Sequence, residues 1–242
     1  MFTAGTSLYY QEKNGEKVKL RDSSYPQYRL IAPENADLPH SLKNQVYLMS
    51  RDLFYLDDKL EMTTIAIDVS VSLMHNDLKT LYYVKGSRGS LYRTQIGSDK
   101  EPEKLAENIG RSGFYDIAIS DDQRHIYFLD KNETVHYLVN NNETKAIASN
   151  VYHMRMADDG WLYFTSNTSS TMSLSCSFNG GDSILLDDEA QFIFFDGPDF
   201  SLYAMRDGSY LCALKGGQRF TLLDNLEFGA GYGGGGGPII YP

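Results

Sequence analysis

One phrase recurs along this chain of 242 residues: a short polar turn rich in Asp, Asn or Gly, followed by a strand of aliphatic and aromatic residues. Its clearest copies are SDDQRHIYFLDKN and ADDGWLYFTSN, and weaker copies read HNDLKTLYYVKG and GPDFSLYAMRDG. Asp and Asn tolerate left-handed backbone and bond to turn amides, while aliphatic and aromatic runs favour strands. The phrase therefore predicts a repeated β-hairpin whose acidic residues form the turns.

The spacing of the phrase predicts the architecture. The second strands of the predicted units begin 35 to 45 residues apart, at Val46, Leu81, Ile126, Trp161 and Leu202. Each unit contains four predicted strands, which in the clearest copy are Phe114–Ser120, Ile126–Asp130, Thr134–Val139 and Thr144–Ala148. A period near 40 residues with four strands per unit is typical of a β-propeller. Five complete units can be read in this way.

The two chain ends are predicted to supply a sixth blade. The stretch SLYYQEKNGEKVKL reads as two strands joined at Asn14-Gly15, which is a strong hairpin signal. Near the other end, further strands are predicted at Glu227–Tyr232 and Ile239–Tyr241. If the Gly-rich end is only a tail, the closing blade would take one strand from the C-terminus and its remaining strands from the N-terminus. Closing the ring in this way removes exposed sheet edges.

We therefore expect a single all-β domain over residues 1–242, a six-bladed β-propeller with four antiparallel strands per blade. Residues 1–20 and 226–242 would share the closing blade. Five blades are the alternative.

The phrases AISDDQRHIYFLDKN and RMADDGWLYFTSN resemble the Ser-Pro-Asp-Gly repeat of TolB-type β-propellers. They are closer still to the TolB-like propeller domains in cell-envelope proteins of Gram-positive bacteria. In this chain Asp121 and Asp158 stand where that repeat has proline. The resemblance implies a scaffold for protein or ligand binding, extracytoplasmic or at a bacterial cell surface, which a separate segment would anchor. It transfers no catalytic residue, and a cytoplasmic location is the alternative.

The charge balance excludes one class of partner. With 22 Lys and Arg against 32 Asp and Glu, the formal net charge is −10, whereas a nucleic-acid binder needs cations to neutralise phosphates. No run approaches the ~18 apolar residues that would span a bilayer, and the first ten residues do not read as a signal peptide. We expect no nucleic-acid partner and no membrane insertion of this chain, and we expect it to act as a monomer.

Cysteine, histidine and acidic residues follow no catalytic or metal-binding pattern. Cys176 and Cys212 lie outside any CxxC and at similar positions of neighbouring units, which indicates packing rather than a disulfide. The five histidines form no HxH or HExxH. Pairs of adjacent aspartates recur at equivalent turns or blade ends, whereas a catalytic carboxylate pair is a singular feature. We therefore expect no catalytic residue, metal or cofactor. A glycosidase or a calcium-dependent lactonase, whose ligands would be scattered over several blades, is the alternative.

The remaining candidate site is the mouth of the predicted channel. Aromatic and Arg side chains are frequent anchors of binding surfaces, and several fall on predicted inner strands or on the loops that enter them. Besides Tyr28, the predicted ligand-binding residues are Arg29, Arg111, Tyr115, Tyr152, His153, Arg155 and Gln191. They favour an anionic or peptide ligand, so that the expected partner is a protein, a peptide or a glycan. The alternative is that they fill the ring interior and pair with carboxylates of this chain.

Overall fold

The computed structural model describes residues 1–4, 7–12, 15–22, 28–33, 41–86, 89–110, 117–140, 143–157, 160–167, 172–195, 201–205 and 210–224. Within these ranges it contains 22 strands and no helix, so no described helix could cross a membrane. Arg111 and Tyr115 of the predicted site lie outside the described residues, as do the turn residue Asn14 and the predicted C-terminal strands.

The chain divides into two compact units. The first contains residues 1–114 together with 138–144, and the second contains residues 115–137 together with 145–242. Each is described by itself.

The first unit contains one three-stranded and two four-stranded antiparallel sheets, with strands in chain order. The strands of the three-stranded sheet are β1 (Phe2–Ala4), β2 (Ser7–Tyr10) and β3 (Val18–Asp22). The next sheet consists of β4 (Tyr28–Ile31), β5 (Gln45–Met49), β6 (Asp52–Leu56) and β7 (Met62–Ala66). The last consists of β8 (Val69–Met74), β9 (Thr80–Lys85), β10 (Ser90–Gln95) and β11 (Glu103–Ala106).

The predicted N-terminal hairpin is confirmed, because β2 and β3 pair antiparallel with Tyr10 opposite Val18. The strand β1 was not predicted. At three residues it is too short to show an alternating pattern, and it is recognisable only by its pairing with β2.

Apolar side chains hold the sheets of the first unit together face to face. Val46 and Leu53 of one four-stranded sheet form a buried cluster with Leu81 and Tyr83 of the other. The Tyr83 ring also stacks on Tyr92, with 5.4 Å between the centroids. Burial of each large side chain stabilises the unit by about 1.5–3 kcal/mol.

From Ile117 onward the chain forms two further antiparallel sheets. The first is four-stranded, with β12 (Ile117–Ile119), β13 (Ile126–Leu129), β14 (Val135–Asn140) and β15 (Glu143–Ala148). The second is seven-stranded and continues through β16 (Val151–Met156), β17 (Trp161–Asn167), β18 (Met172–Phe178), β19 (Ile184–Phe195), β20 (Ser201–Met205), β21 (Tyr210–Lys215) and β22 (Gln218–Asp224).

The strand β19 differs from the sequence prediction, which has two strands at Asp182–Leu186 and Gln191–Phe195. The structure has one strand of 12 residues. Its first half pairs with β18 and its second half with β20, and the register shifts on both sides near Ala190. The linking residues include neither Gly nor Pro, so nothing forces the backbone out of the extended conformation. Two four-stranded segments are thereby joined through one shared strand.

A tyrosine of the repeated phrase ties two hairpins of the second unit to a later turn. The Tyr127 hydroxyl accepts a hydrogen bond of 2.7 Å from the backbone N–H of Gly180, and the Tyr163 hydroxyl accepts one of 3.1 Å from that of Gly217. Both glycines have a positive φ, +70° and +71°, and a Cβ at Gly217 would overlap the ring of Trp161. Glycine is therefore required at these two turns by conformation and by space.

Candidate functional site

The adjacent aspartates act on the backbone, as the repeat predicts. Asp57, Asp122 and Asp187 each accept a hydrogen bond from the backbone N–H two residues further on, at 2.9, 3.0 and 3.0 Å. At Asp57 and Asp122 these bonds satisfy turn amides, whereas Asp187 is buried within the strand β19 and also pairs with Arg219. The chain has four such Asp-Asp pairs, and three of them bond to backbone, while the fourth, Asp158-Asp159, lies outside the described residues.

Ser120, Asp122 and His125 lie close together but are not arranged as a nucleophile and its base. The Ser120 hydroxyl donates to Asp122 over 2.6 Å and accepts from the backbone N–H of His125. The imidazole Nδ1 of His125 lies 2.9 Å from the hydroxyl of Tyr137 instead. An activated nucleophile requires the base ring within reach of the hydroxyl. The described side chains also include no group of three or more His, Cys, Asp or Glu that could hold a metal ion.

The structure brings three of the predicted ligand-binding residues together. Tyr152, His153 and Arg155 follow one another along β16, in the second unit. Arg29 lies exposed on β4, in the first unit. Gln191 lies in β19, where only its backbone is described.

The pairing of β16 with β17 decides which side chains share a face. His153 lies opposite Thr165, and Arg155 lies opposite Tyr163, so these four residues lie on one face of the hairpin. Met154 and Phe164 are paired on the opposite face, where both are buried against the preceding sheet. The polar face therefore comprises His153, Arg155 and Thr165 beside the repeated tyrosine.

These polar residues depart from the repeat. The residues opposite the equivalent tyrosines Tyr82, Tyr127 and Tyr203 are Leu73, Ala118 and Ile193, and all three are apolar where β16 has Arg155. Two positions beyond each tyrosine, the other second strands have Val84, Leu129 and Met205. Thr165 is the hydroxyl-bearing residue at that position. A change confined to one copy of a repeat indicates a role that the repeated fold does not require.

Thr165 is buried although it is polar. Its side chain is 1% exposed, and its Oγ1 atom makes no hydrogen bond within the described part of the chain. A buried hydroxyl in that state costs about 1–3 kcal/mol. Val84 and Leu129 fill the equivalent positions without this cost.

Burial and charge set the protonation of the site. Burial lowers the pKa of His153, and the neighbouring Arg155 lowers it further. The Nε atom of Arg155 is itself buried. The exposed ring of Tyr152 meets the His153 ring edge to face, with 4.4 Å between centroids. The site therefore combines the permanent charge of Arg155 with a neutral imidazole at neutral pH.

An apolar cluster covers the part of this face that Tyr163 forms. Tyr163 packs with Leu174, Cys176, Cys212 and Leu214, all of which are fully buried. Both cysteines are buried in this cluster as free thiols, in agreement with the predicted packing role. Surroundings of low polarity strengthen an electrostatic interaction made at the nearby Arg155.

Sequence reasoning found His153 and Arg155 but missed Thr165. The signal was present in the repeat, since aligning the second strands shows one hydroxyl among aliphatic and sulfur-containing residues. It becomes informative only once the strand pairing shows that Thr165 lies opposite His153.

No protein-family model matches the chain, and no curated protein matches it. Among solved structures, an oligogalacturonate lyase in complex with manganese is similar with a TM-score of 0.53 and 11% identity, over 90% of this chain and 72% of that chain. A prolyl endopeptidase is similar with a TM-score of 0.52 and 10% identity, over 76% of this chain and 36% of that one. A TolB structure from Agrobacterium tumefaciens has a TM-score of 0.49 and 12% identity, over 87% and 85% of the two chains.

These comparisons concern the fold. The chain is all-β with antiparallel sheets, and the two neighbours with a TM-score above 0.5 resemble this fold over 76% and 90% of the chain. At 10% and 11% identity the likeness extends to neither their activities nor their substrates.

Proposed function

We propose that this chain is a non-enzymatic binding module that recognises a protein, a peptide or a glycan through the β16–β17 face. The proposal rests on Arg155 and Thr165, which are polar where the equivalent positions in the other copies of the repeat are apolar. Aspartates that bond to the backbone supply no catalytic pair, and a ring of hairpins offers a rigid support for a recognition site.

In this proposal the sheets are the blades of a six-bladed propeller and the β16–β17 face lies at the mouth of its channel. The sheet β1–β3 has three strands where its neighbours have four. A C-terminal strand near Glu227–Tyr232 would add the fourth strand and close the ring. Residues 1–242 would then act as one domain and as a monomer.

We place the module outside the cytoplasm of a bacterium, in its cell envelope and held there by a separate anchoring segment. The support is the resemblance of the Asp-rich phrase to envelope propellers. Protease accessibility of the epitope-tagged chain on intact cells tests the location, and protection until the cells are lysed would contradict it.

The binding proposal is tested with the purified chain on peptide and glycan arrays. We expect wild type to retain a defined set of ligands and Arg155→Ala to lose them while staying folded, with a loss of about 0.5–3 kcal/mol in the free energy of unfolding because the Nε atom of Arg155 is buried. Arg124→Ala is the matched control, because Arg124 is 81% exposed in the same unit and lies outside the β16–β17 face.

Two results would contradict the proposal. If Arg155→Ala destabilises the chain while ligand capture persists, Arg155 is part of the packing and the site is wrong. If the purified chain turns over glycosides or lactones, the hydrolase alternative replaces the binding module.

A further inference from the structure

We propose that Asn179 is a modification site, at which the side-chain amide converts to an acid after attack by the backbone nitrogen of Gly180, and that a hydrogen bond to Tyr127 slows this reaction. The residues that react form the turn between β18 and β19. The inference does not depend on the binding function proposed above.

This turn combines a reactive residue pair with a fixed backbone. Asn179 and Gly180 both have a positive φ, 49° and 70°, and the backbone N–H of Gly181 donates to the carbonyl of Phe178 at 2.8 Å. Such geometry is that of a type I′ hairpin turn, in which Asn-Gly is a favoured pair. Asn179 is exposed, whereas Gly180 is buried. The side chain that reacts is therefore open to water, while the nitrogen that attacks it is not.

The reaction needs only these two residues and water. The Gly180 nitrogen loses its proton and bonds to Cγ of Asn179, the bond from Cγ to Nδ2 breaks, and the Nδ2 group takes up a proton and leaves as ammonia. Water then opens the cyclic imide. Opening at Cγ gives aspartate, and opening at the backbone carbonyl carbon gives isoaspartate, in which the main chain runs through the former side chain. Glycine at the second position places no side chain beside the attacking nitrogen.

Three neighbouring side chains hold the Gly180 peptide in place. Its N–H donates to the Tyr127 hydroxyl at 2.7 Å, and its carbonyl accepts a hydrogen bond of 2.9 Å from Nζ of Lys145. The ring of Tyr137 occupies the space that a Cβ at Gly180 would need. A buried amide gives up its proton only after the local structure opens, as in hydrogen exchange. The Tyr127 hydrogen bond therefore sets how often the Gly180 nitrogen is free to attack.

Conversion to isoaspartate would remove the contact that slows it. Isoaspartate adds a carbon atom to the main chain, whereas a two-residue turn has a fixed length that matches the register of its strands. Gly180 would then leave its place against Tyr137 and lose the bond to Tyr127, which joins β13 to the turn between β18 and β19. We therefore expect the second unit to lose stability as Asn179 is converted.

The test follows Asn179 in the purified full chain by peptide mapping and mass spectrometry during incubation at neutral pH. We expect wild type to convert at least about tenfold more slowly than the chain unfolded in guanidinium chloride, because the turn must open first. Tyr127→Phe keeps the ring and removes the hydroxyl, and it should speed conversion about two- to tenfold, the worth of one hydrogen bond. The fall in melting temperature should follow the formation of isoaspartate.

A matched control separates the turn from the stability of the whole chain. Tyr163→Phe removes the equivalent hydrogen bond to Gly217 and should leave the conversion of Asn179 unchanged. If Tyr127→Phe does not fold, Lys145→Met takes its place, because it removes the bond to the carbonyl of Gly180. This variant should speed conversion about two- to fivefold.

Each of the following results would overturn the inference. Conversion in folded wild type as fast as in the unfolded chain would show that the fold does not slow the reaction. An unchanged rate in Tyr127→Phe, or an equal acceleration in Tyr163→Phe, would show that the Tyr127 hydroxyl does not control it. An Asn179 amide that persists even in the unfolded chain would remove the modification site.

Discussion

His153 shows how the surroundings of one side chain set its chemistry. Burial and the charge of Arg155 both lower the pKa of His153 below the usual value of about 6.5. Between the lowered and the usual value, the unfolded chain binds a proton that the folded chain does not. The free energy of unfolding therefore decreases as the pH falls through this window.

We expect NMR titration of the His153 ring to give a midpoint below the usual value of about 6.5. Arg155→Gln should move the midpoint only partly back, because burial is the larger cause. His153→Gln assigns the signal and should remove part of the loss of stability in acid. A midpoint at or above the usual value would contradict a neutral imidazole in the site.

Among the site residues, Arg155 could be predicted from the sequence, but Thr165 could not. Arg155 could be found from the sequence because Arg is a frequent anchor of binding surfaces and this one falls on a predicted inner strand. Thr165 follows an ordinary Leu-Tyr-Phe run and is typical of a strand, and its burial beside His153 depends on pairing across the hairpin. Composition does not determine the register in which two strands pair. A register shift of one residue would turn every side chain of the strand to the other face of the sheet.

Elements were more predictable than residues, because each hairpin carries its own turn signal. The repeat predicted the strands of the four-stranded sheets, and β2–β3 followed from Asn14-Gly15. The continuity of β19 was missed, since the sequence shows where a strand is favoured but not whether a bulge or a turn joins two halves. The contacts from tyrosine to glycine were also missed, because Tyr163 and Gly217 lie in different hairpins.

The turn Gly216-Gly217 allows a matched test of these contacts. Gly217→Ala places a Cβ against the Trp161 ring, whereas a Cβ at Gly216 meets nothing within 4 Å, and both residues have a positive φ. Each alanine pays about 1–2 kcal/mol for the left-handed backbone, and Gly217→Ala should lose about 1–3 kcal/mol more through overlap. Urea unfolding of the two variants measures the difference. Equal losses would show that the turn moves away from Trp161 without cost.

At the scale of the whole molecule, the repeat period predicted an all-β chain of antiparallel sheets, and the structure and its neighbours confirm that much. The number of blades and the closure of the ring are proposals. A local phrase specifies one hairpin at a time, whereas closure depends on pairing between the two ends of the chain, and loop-closure entropy opposes such distant contacts.

The proposed closure predicts that two truncations behave differently. In the described residues β1 has one strand neighbour, β2, and its other edge would receive the strand near Glu227–Tyr232. Deleting residues 226–242 should then lower the melting temperature and speed hydrogen exchange of the β1 amides, because paired amides exchange slowly.

Deleting only residues 233–242 is the control. If those ten residues are a tail, it leaves both measurements unchanged. If it has the same effect as the longer deletion, residues 233–242 supply a closing strand as well. Unchanged exchange at β1 in both truncations would mean that the C-terminal residues do not pair with β1, and the six-bladed ring would have to be given up.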